Sequence, residues 1–255
     1  MEPETFEREA DRVLVAGREA GVTLRLLGAL AFRRRCPRYQ HLQDRLGRAF
    51  TDIDFAGYGR EVPDIRSVMS GLGYREDPGV YVESEGSRLI FEHPDTGLHA
   101  DVFLDKLEFC HTISWDGRLE VDEETIPLAE LVLEKMQIVE INEKDVIDTI
   151  MLLLEHPLAD HDREAINIGY VAHLCARDWG LWRTLTMNLG KVRQLAEGYE
   201  LEDGEKATVG ARVGEGLQRI EREPKSRKWK LRAVIGDRKK WYRDVGELGP
   251  MPEGV

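Results

Sequence analysis

The chain contains little cysteine: only Cys36, Cys110 and Cys175 occur among its 255 residues. An odd number of widely spaced cysteines does not suit a disulfide framework, and no pair has the short spacing of a zinc site. We therefore expect reduced thiols, as in a cytoplasmic protein.

Long apolar runs are also missing. No stretch of about 18 apolar residues occurs, so the sequence predicts no membrane-spanning helix and no membrane partner. The first twelve residues, MEPETFEREADR, are acidic and polar, unlike a secretory signal peptide. Hydrophobic residues make up 42% of the chain and charged residues 33%, which is typical of a folded soluble protein. These features predict a cytoplasmic location.

The formal net charge of −12 argues against binding nucleic acid over the whole surface, because phosphates would be repelled. Two segments are nevertheless basic. Residues 33–48 carry six arginines against one acid, and residues 225–243 combine basic side chains with Trp229 and Trp241. We interpret the first segment as a solvated face, with polyphosphate or RNA contact as the alternative. In the second, packing of the aromatic rings on the body is favoured over stacking on single-stranded nucleic acid.

The first half of the chain alternates helical and strand patterns. A helix is predicted over 3–19, and Gly28 separates a short strand from a second helix that Pro37 ends. The turn Pro94-Asp95-Thr96-Gly97 favours a hairpin. Further strands are predicted over 22–27, 49–56, 80–82, 88–92 and 98–104, and a helix over 63–72. This order predicts an α+β (mixed α/β) fold, a mixed sheet with flanking helices.

The pattern changes near Pro127, after which five helices are predicted. They cover 128–141, 143–154, 163–175, 181–197 and 204–222. We therefore predict two domains, an α/β domain over 1–125 and a helical domain over 126–255 that ends in the basic aromatic tail.

The central motif is Thr51-Asp52-Ile53-Asp54-Phe55. Side chains alternate along a strand, so Asp52 and Asp54 face one way while Ile53 and Phe55 face the core. Aspartate is a poor strand former and like charges repel, so two acids on one face are a local conflict. A divalent cation such as Mg²⁺ resolves this conflict. Solvated acids on a half-exposed strand are the alternative interpretation.

Asp101 lies on a later predicted strand. If that strand neighbours the first, Asp101 joins Asp52 and Asp54 and makes a site for two metals, although a plain salt bridge is its other possible role. Asp105, which is four residues further along the chain and on the same strand face, is an alternative third acid. Upstream, the turn at Gly28 opens a helix whose free N–H groups suit a phosphate, or it is a turn without a ligand.

These motifs together resemble a known superfamily. Gly28-Ala29-Leu30-Ala31, then Asp52-Ile53-Asp54, then Asp101 is similar to the Gly-[Gly/Ser]-x-Ala turn, Asp-x-Asp strand and third acid of nucleotidyltransferases of the DNA polymerase β type. Leu133-Glu134-Lys135-Met136 and the following residues 143–148 resemble the AbiEii-like branch, which includes toxins of type IV toxin–antitoxin systems. The resemblance covers roughly residues 20–156.

The resemblance implies transfer of a nucleoside monophosphate from an NTP to an acceptor hydroxyl with Mg²⁺ or Mn²⁺. Asp52 and Asp54 would hold the metal ions, and Asp101 would bind the second ion or deprotonate the acceptor. Gly28, Ala29 and Lys135 would contact the nucleotide. The acceptor is a small molecule, a tRNA end or a protein, and an antitoxin is a possible partner.

Two departures from the motif keep other functions open. Ala29 lacks the hydroxyl that serine would offer, and the long interval from Gly28 to Asp52 implies an insertion that contains the arginines. Both favour the alternative of a non-catalytic nucleotide-binding module. Lys135 is equally well explained as a lysine at the edge of an apolar stripe. Lys144 and the acids of 143–148 are interpreted as a helix N-terminal charge pattern.

Overall fold

The computed structural model describes residues 3–47 and 50–244. Its first half contains five helices and seven strands in mixed order. In chain order these are α1 (Pro3–Glu19), β1 (Arg25–Leu27), α2 (Gly28–Arg35), α3 (Gln40–Arg45), β2 (Asp52–Gly57), α4 (Val62–Gly71), β3 (Arg75–Glu76), α5 (Pro78–Glu83), β4 (Arg88–Glu92), β5 (His99–Leu104), β6 (Lys106–Glu108) and β7 (Thr112–Ser114).

The second half is mainly helical. It comprises α6 (Leu128–Met136), α7 (Glu143–Glu155), β8 (Leu158–Ala159), β9 (Ile166–Asn167), α8 (Ile168–Arg177), α9 (Trp179–Ala196), α10 (Asp203–Arg222) and α11 (Arg227–Ile235). Across 3–47 and 50–244, no helix is both long and apolar enough to cross a membrane. The three cysteines are buried and form no disulfide.

The main sheet has five strands in the order β1-β2-β5-β4-β3. β2 and β5 run parallel, and the other pairs are antiparallel. The predicted hairpin is confirmed, because β4 and β5 pair directly across residues 94–97 and Gly97 adopts a left-handed φ of 69°. The predicted α+β class is therefore confirmed, and the sheet with its flanking helices is consistent with a nucleotidyltransferase-type fold.

One predicted strand is wrong. Residues 80–82 belong to α5, because Asp77 caps this helix by accepting a hydrogen bond of 2.9 Å from the Gly79 N–H, and Pro78 occupies its first turn. The strand in this part of the chain is β3, which ends at Glu76, four residues before the predicted strand begins. The first strand is also shorter than predicted, and residue 49 of the predicted β2 lies outside the described residues.

Two predicted C-terminal helices have different limits. α6 ends at Met136 and α7 begins separately, because Asn142 and Asp145 form a capping box. α8 begins five residues later than predicted, since Asn167 caps it by accepting the Tyr170 N–H at 3.0 Å. The residues before α8 form a small parallel pair, β8 with β9.

The basic aromatic tail packs on the helical body, as the favoured interpretation predicts. The ring of Trp229 lies edge-on to Trp182 at 5.1 Å, and Trp241 lies edge-on to Trp179 at 6.1 Å. The indole N–H of Trp241 donates to Thr184 Oγ1 at 3.0 Å. The rings are therefore engaged with one another and with α9.

The arginines of 33–48 do not form a simple solvated face. Arg33 is only 8% exposed and lies 3.0 Å from Glu7 and 2.8 Å from Asp44. Arg35 pairs with Asp122 and Arg38 with Glu155 on α7. The described arginines of this segment thus tie α2 and α3 to neighbouring acids, and Arg48 lies outside the described residues.

The division near residue 125 stays a prediction. Helices on both sides of it pack together, since α2 contacts both α6 and α7. Leu26 of β1 also exchanges backbone hydrogen bonds of 2.8 Å with the chain at Glu124 and Ile126. Elements from both predicted domains therefore meet around α2, beside the cavity described next.

Candidate active site

The strand register brings the three predicted acids onto one face of the sheet. In the parallel pair β2–β5, Asp54 lies opposite Asp101 and Asp52 opposite His99. Alternation along the strands then places Asp52, Asp54 and Asp101 on the same face. Ile53 and Phe55, which face the other way, are fully buried. The acids converge because β5 inserts between β2 and β4 in the sheet.

Gly28 forms a tight corner directly beside Asp54. Its φ is 68°, and a Cβ at this position would overlap Oδ2 of Asp54. The Gly28 N–H donates a 3.1 Å hydrogen bond to Glu134 Oε2. Only glycine fits this corner, because a side chain would meet both an unfavourable backbone conformation and a carboxylate.

Glu134 is a fourth carboxylate at the site, and sequence reasoning gave it no role. It lies on α6 and is only 5% exposed. Burial raises its pKa above the usual value, against the lowering effects of Lys135 and the Gly28 N–H. The available sequence signal is an acid in the apolar stripe of α6, next to Lys135.

The neighbouring acids make a negative charge on the side chain of Asp54 unfavourable. Burial raises its pKa well above the usual 3.8, and the charges of Asp52, Asp101 and Glu134 raise it further. Lys135 acts in the opposite direction but is the weakest of these influences. A cation bound at this point would favour the charged form of Asp54.

Lys135 lines the cavity, but acids surround its ammonium group. Nζ lies 3.2 Å from Asp148 Oδ2, 3.3 Å from Asp145 Oδ1 and 3.5 Å from Glu134 Oε1. Lys135 therefore lies in the cavity lining, where its positive charge is shared among three carboxylates. Lys144, at the start of α7, also lines the cavity and is exposed, although the sequence interpretation gave it only a place in a helix N-terminal charge pattern.

Asp101 is bound by an arginine that sequence reasoning missed. Both oxygens of its carboxylate accept hydrogen bonds of 2.8 Å from Arg88 Nε, and Arg88 Nη2 also contacts Oδ2. Asp101 is 5% exposed and does not line the cavity. Asp105, the rival third acid, accepts the Gly59 N–H at 3.0 Å and lies outside the cavity as well.

The cavity in front of Asp52 and Asp54 has a volume of about 260 Å³. This is close to the lower end of small-molecule sites, about 300 Å³. It is lined by Leu27, Gly28, Ala29, Phe50, Thr51, Asp52, Asp54, Phe103, Phe109, Glu134, Lys135 and Lys144. A cavity of the same volume lies beside α1, but its lining includes only one acid, Glu123. The chemistry therefore favours the first cavity.

The donor atoms that face the cavity suit a hard divalent cation. Among residues 3–47 and 50–244, no three His, Cys, Asp or Glu side chains are arranged to hold one ion together. Asp52 and Asp54 do offer two adjacent carboxylates beside the open volume. Mg²⁺ typically takes one or two carboxylates and completes its octahedron with substrate phosphates and water. The residues therefore fit an Mg²⁺ or Mn²⁺ ion that arrives with a nucleotide.

Comparison with solved structures finds a likeness to the solution structure of the antibiotic-resistance factor ANT(2'')-Ia, an aminoglycoside nucleotidyltransferase. The match has a TM-score of 0.41 and 14% sequence identity, and it covers 60% of this chain and 84% of that chain. No protein-family model matches the chain. The search of curated proteins finds no match either. The function is therefore argued from the cavity itself, and the AbiEii-like branch stays a prediction.

Proposed function

We propose that the protein is a divalent-metal-dependent nucleotidyltransferase that moves a nucleoside monophosphate from an NTP to an acceptor hydroxyl. The observation that carries this proposal is the pair Asp52 and Asp54 on one face of β2, beside the Gly28 corner and open to a cavity. Because the surrounding acids repel one another, the position next to Asp54 favours the binding of a cation.

Asp52 and Asp54 would hold Mg²⁺ or Mn²⁺. When bound, such an ion neutralises charge on the phosphates and orients the α-phosphate for displacement. The β2–β5 pairing sets the backbone positions from which both carboxylates extend before any ligand arrives. This pre-organisation is what an electrostatically assisted transfer requires.

Asp101 is proposed as the group that takes the acceptor proton. Burial raises its pKa above the usual 3.8 even though Arg88 lowers it, which makes the carboxylate a stronger base. In the transfer, the acceptor oxygen bonds to the α-phosphorus, the bond from that phosphorus to the bridging oxygen breaks, and pyrophosphate leaves. The hydroxyl proton passes to Asp101.

The phosphates are proposed to lie against the start of α2 and the nearby lysines. Ala29 offers its backbone but no hydroxyl, and the Gly28 N–H already bonds to Glu134. The exposed Lys144 and the acid-bound Lys135 are the cations that the described residues contribute to the lining. Phe50, Phe103 and Phe109 form an apolar wall suited to a base or to the acceptor.

The acceptor is proposed to be a small molecule, a tRNA end or a protein, in a cytoplasmic setting. A toxin of the AbiEii type, with an antitoxin as partner, is a narrower version of the same activity. A non-catalytic nucleotide-binding module is the second candidate. Two observations favour it: Arg88 occupies both oxygens of Asp101, and Ala29 replaces the usual second turn residue.

The experiment that separates these functions uses each NTP labelled at its α-phosphate, with Mg²⁺ and cell extract. Label that moves to an acceptor, and does not move with Asp52→Asn or Asp54→Asn, supports transfer. Binding of NTP with Mg²⁺ without any transfer supports the module. Absence of both NTP binding and transfer contradicts the proposal.

A further inference from the structure

We infer that Arg88 takes the place of a second metal ion, so that the site binds one divalent cation instead of two. This inference rests on the proposed function, because it concerns the same carboxylates. It assigns Arg88 as a positioning residue for Asp101, the proposed base.

The contact between Arg88 and Asp101 is built into the sheet. On neighbouring strands β4 and β5, Arg88 lies opposite Phe103 and Ile90 opposite Asp101, so Arg88 and Asp101 share a face one alternation apart. The guanidinium lies over the ring of Phe103, 5.1 Å from its centre. Its Nε lies 2.8 Å from both oxygens of Asp101.

The pair is largely shielded from water. The side chain of Arg88 is 19% exposed and that of Asp101 is 7% exposed. A planar guanidinium bound to a carboxylate in this way is a strong and geometrically specific pair, which a lysine would not reproduce. The permanent charge of arginine keeps the donor side of this contact charged throughout the working pH range.

A second metal ion would need the carboxylate that Arg88 already holds. Such an ion would bind Asp101 within contact distance of a guanidinium, and like charges at that distance repel strongly. Asp54 and Asp52 also act on Arg88 electrostatically, so its positive charge serves the whole acid cluster. Arg88 thus supplies the compensating charge on the β5 side, while Asp52 and Asp54 remain open to one ion on the cavity side.

The arrangement of the other acids agrees with a single ion. Within the described parts of the chain, no three potential ligands are grouped around one point. The fourth carboxylate, Glu134, accepts the Gly28 N–H and contacts Lys135. Asp52 and Asp54 are consequently the two acids left for a metal.

The test counts bound Mn²⁺ on the full chain with a non-hydrolysable ATP analogue, by electron paramagnetic resonance and equilibrium dialysis. We expect one Mn²⁺ per chain, with the spectrum of an isolated ion. With Arg88→Ala we expect two ions per chain and the broadened spectrum of a spin-coupled pair. Arg88→Lys keeps the positive charge and should stay near one ion.

Arg66→Ala is the matched control. Arg66 makes a similar bidentate pair with Glu76, with N–O distances of 2.6 and 2.7 Å, and this pair lies outside the cavity. This variant should bind one ion, as the unaltered chain does. Two ions on the unaltered chain would overturn the inference and leave the proposed function standing. One ion in a folded Arg88→Ala would also overturn it. No bound ion on the unaltered chain would contradict the proposed function, and the inference with it.

Discussion

Two regions of this molecule hold partly or fully buried acids, and the charges around these acids are arranged in opposite ways. Glu130 on α6 is fully buried, and Arg118 binds both of its oxygens, with Nη2 at 3.1 Å from Oε2. The same arginine binds Asp162 at 2.7 Å and lies 4.1 Å from the ring centre of Tyr170. Every charge in this first region has an opposite charge in contact.

Asp54 on β2 has the reverse surroundings. Its pKa rises through burial and through three neighbouring carboxylates, with Lys135 as the one charge that lowers it. Burying a charge without a partner is costly, so a stable fold normally avoids it. The difference indicates that the charge of Glu130 is compensated within the fold, whereas the proposed role of the Asp54 region is to have its charge compensated by a bound cation.

The largest expected effect is on transfer. Asp54→Asn removes a proposed metal ligand while keeping the size of the side chain, and we expect the rate to fall by about 1,000-fold, since metal assistance supplies several kcal/mol. Asp52→Asn should behave similarly. The measurement is the rate of label transfer from NTP under saturating Mg²⁺. A matched Asp105→Asn variant, outside the cavity, should retain activity.

The next largest effect is expected on stability, in the region of Glu130. Arg118→Met leaves Glu130 buried without its positively charged partner, and we expect a loss of about 3–5 kcal/mol in the free energy of unfolding. Urea denaturation measures this loss. Combining Arg118→Met with Glu130→Gln should restore part of the stability, because the uncompensated charge is removed. Equal losses in the single and double variants would contradict this explanation.

His111 shows a third way to bury a titratable group, which is to keep it neutral. Burial lowers its pKa from the usual 6.5 to about 4, and Nε2 lies 2.9 Å from Thr184 Oγ1. Between these two values the unfolded chain binds the extra proton, so stability rises with pH and is lost as pH falls from about 6.5 to about 4. The full change is about 3 kcal/mol at 1.36 kcal/mol per pKa unit.

Unfolding free energies measured between pH 4 and pH 7 test the role of His111. His111→Gln keeps a polar side chain and should flatten this part of the pH profile. An unchanged profile would assign the acid sensitivity to other groups.

A smaller effect is expected at the glycine corner. Gly28→Ala forces a left-handed φ on alanine, which costs about 1–2 kcal/mol, and pushes a methyl group into Asp54. Thermal unfolding should show the loss, and NTP affinity should fall with it. Gly47→Ala, at a left-handed position with nothing within 4 Å, gives the backbone cost alone. The difference between the two variants isolates the contact with Asp54.

The smallest effect concerns Lys144. Because this lysine is exposed, its removal by Lys144→Ala should raise KM for NTP by only about two- to fivefold and leave stability unchanged. Steady-state kinetics separates KM from kcat. A large fall in kcat with an unchanged KM would assign Lys144 a role in the reaction itself.

The sequence predicted the parts of the fold that depend on local patterns. The limits of α1 and β4, the turn over 94–97 and the shared face of Asp52 and Asp54 all follow from alternation and turn residues. The predicted strand over 80–82 is wrong, because an apolar segment of three residues has no period and the cap at Asp77 decides its structure.

The site itself could be predicted only in part. Asp101 was identified as an acid on a strand, but its pairing with Arg88 depends on the order of strands in the sheet, which no local pattern encodes. Glu134 enters the site because α6 packs against α2 across a long interval of sequence. Lys135 was assigned to phosphate, and its contacts with Asp145 and Asp148 depend on how α7 packs on α6.

The most direct measurement compares thermal unfolding of the unaltered chain and Asp54→Asn, each with and without Mg²⁺ and a non-hydrolysable NTP. We predict that Asp54→Asn melts at a higher temperature than the unaltered chain when metal is absent, because a negative charge among three other carboxylates is removed. We also predict that Mg²⁺ with nucleotide raises the melting temperature of the unaltered chain and not that of Asp54→Asn. A lower metal-free melting temperature for Asp54→Asn would contradict the claim that the acids around Asp54 form a cation-binding site. The same rise in melting temperature for both proteins on addition of Mg²⁺ and nucleotide would contradict it as well.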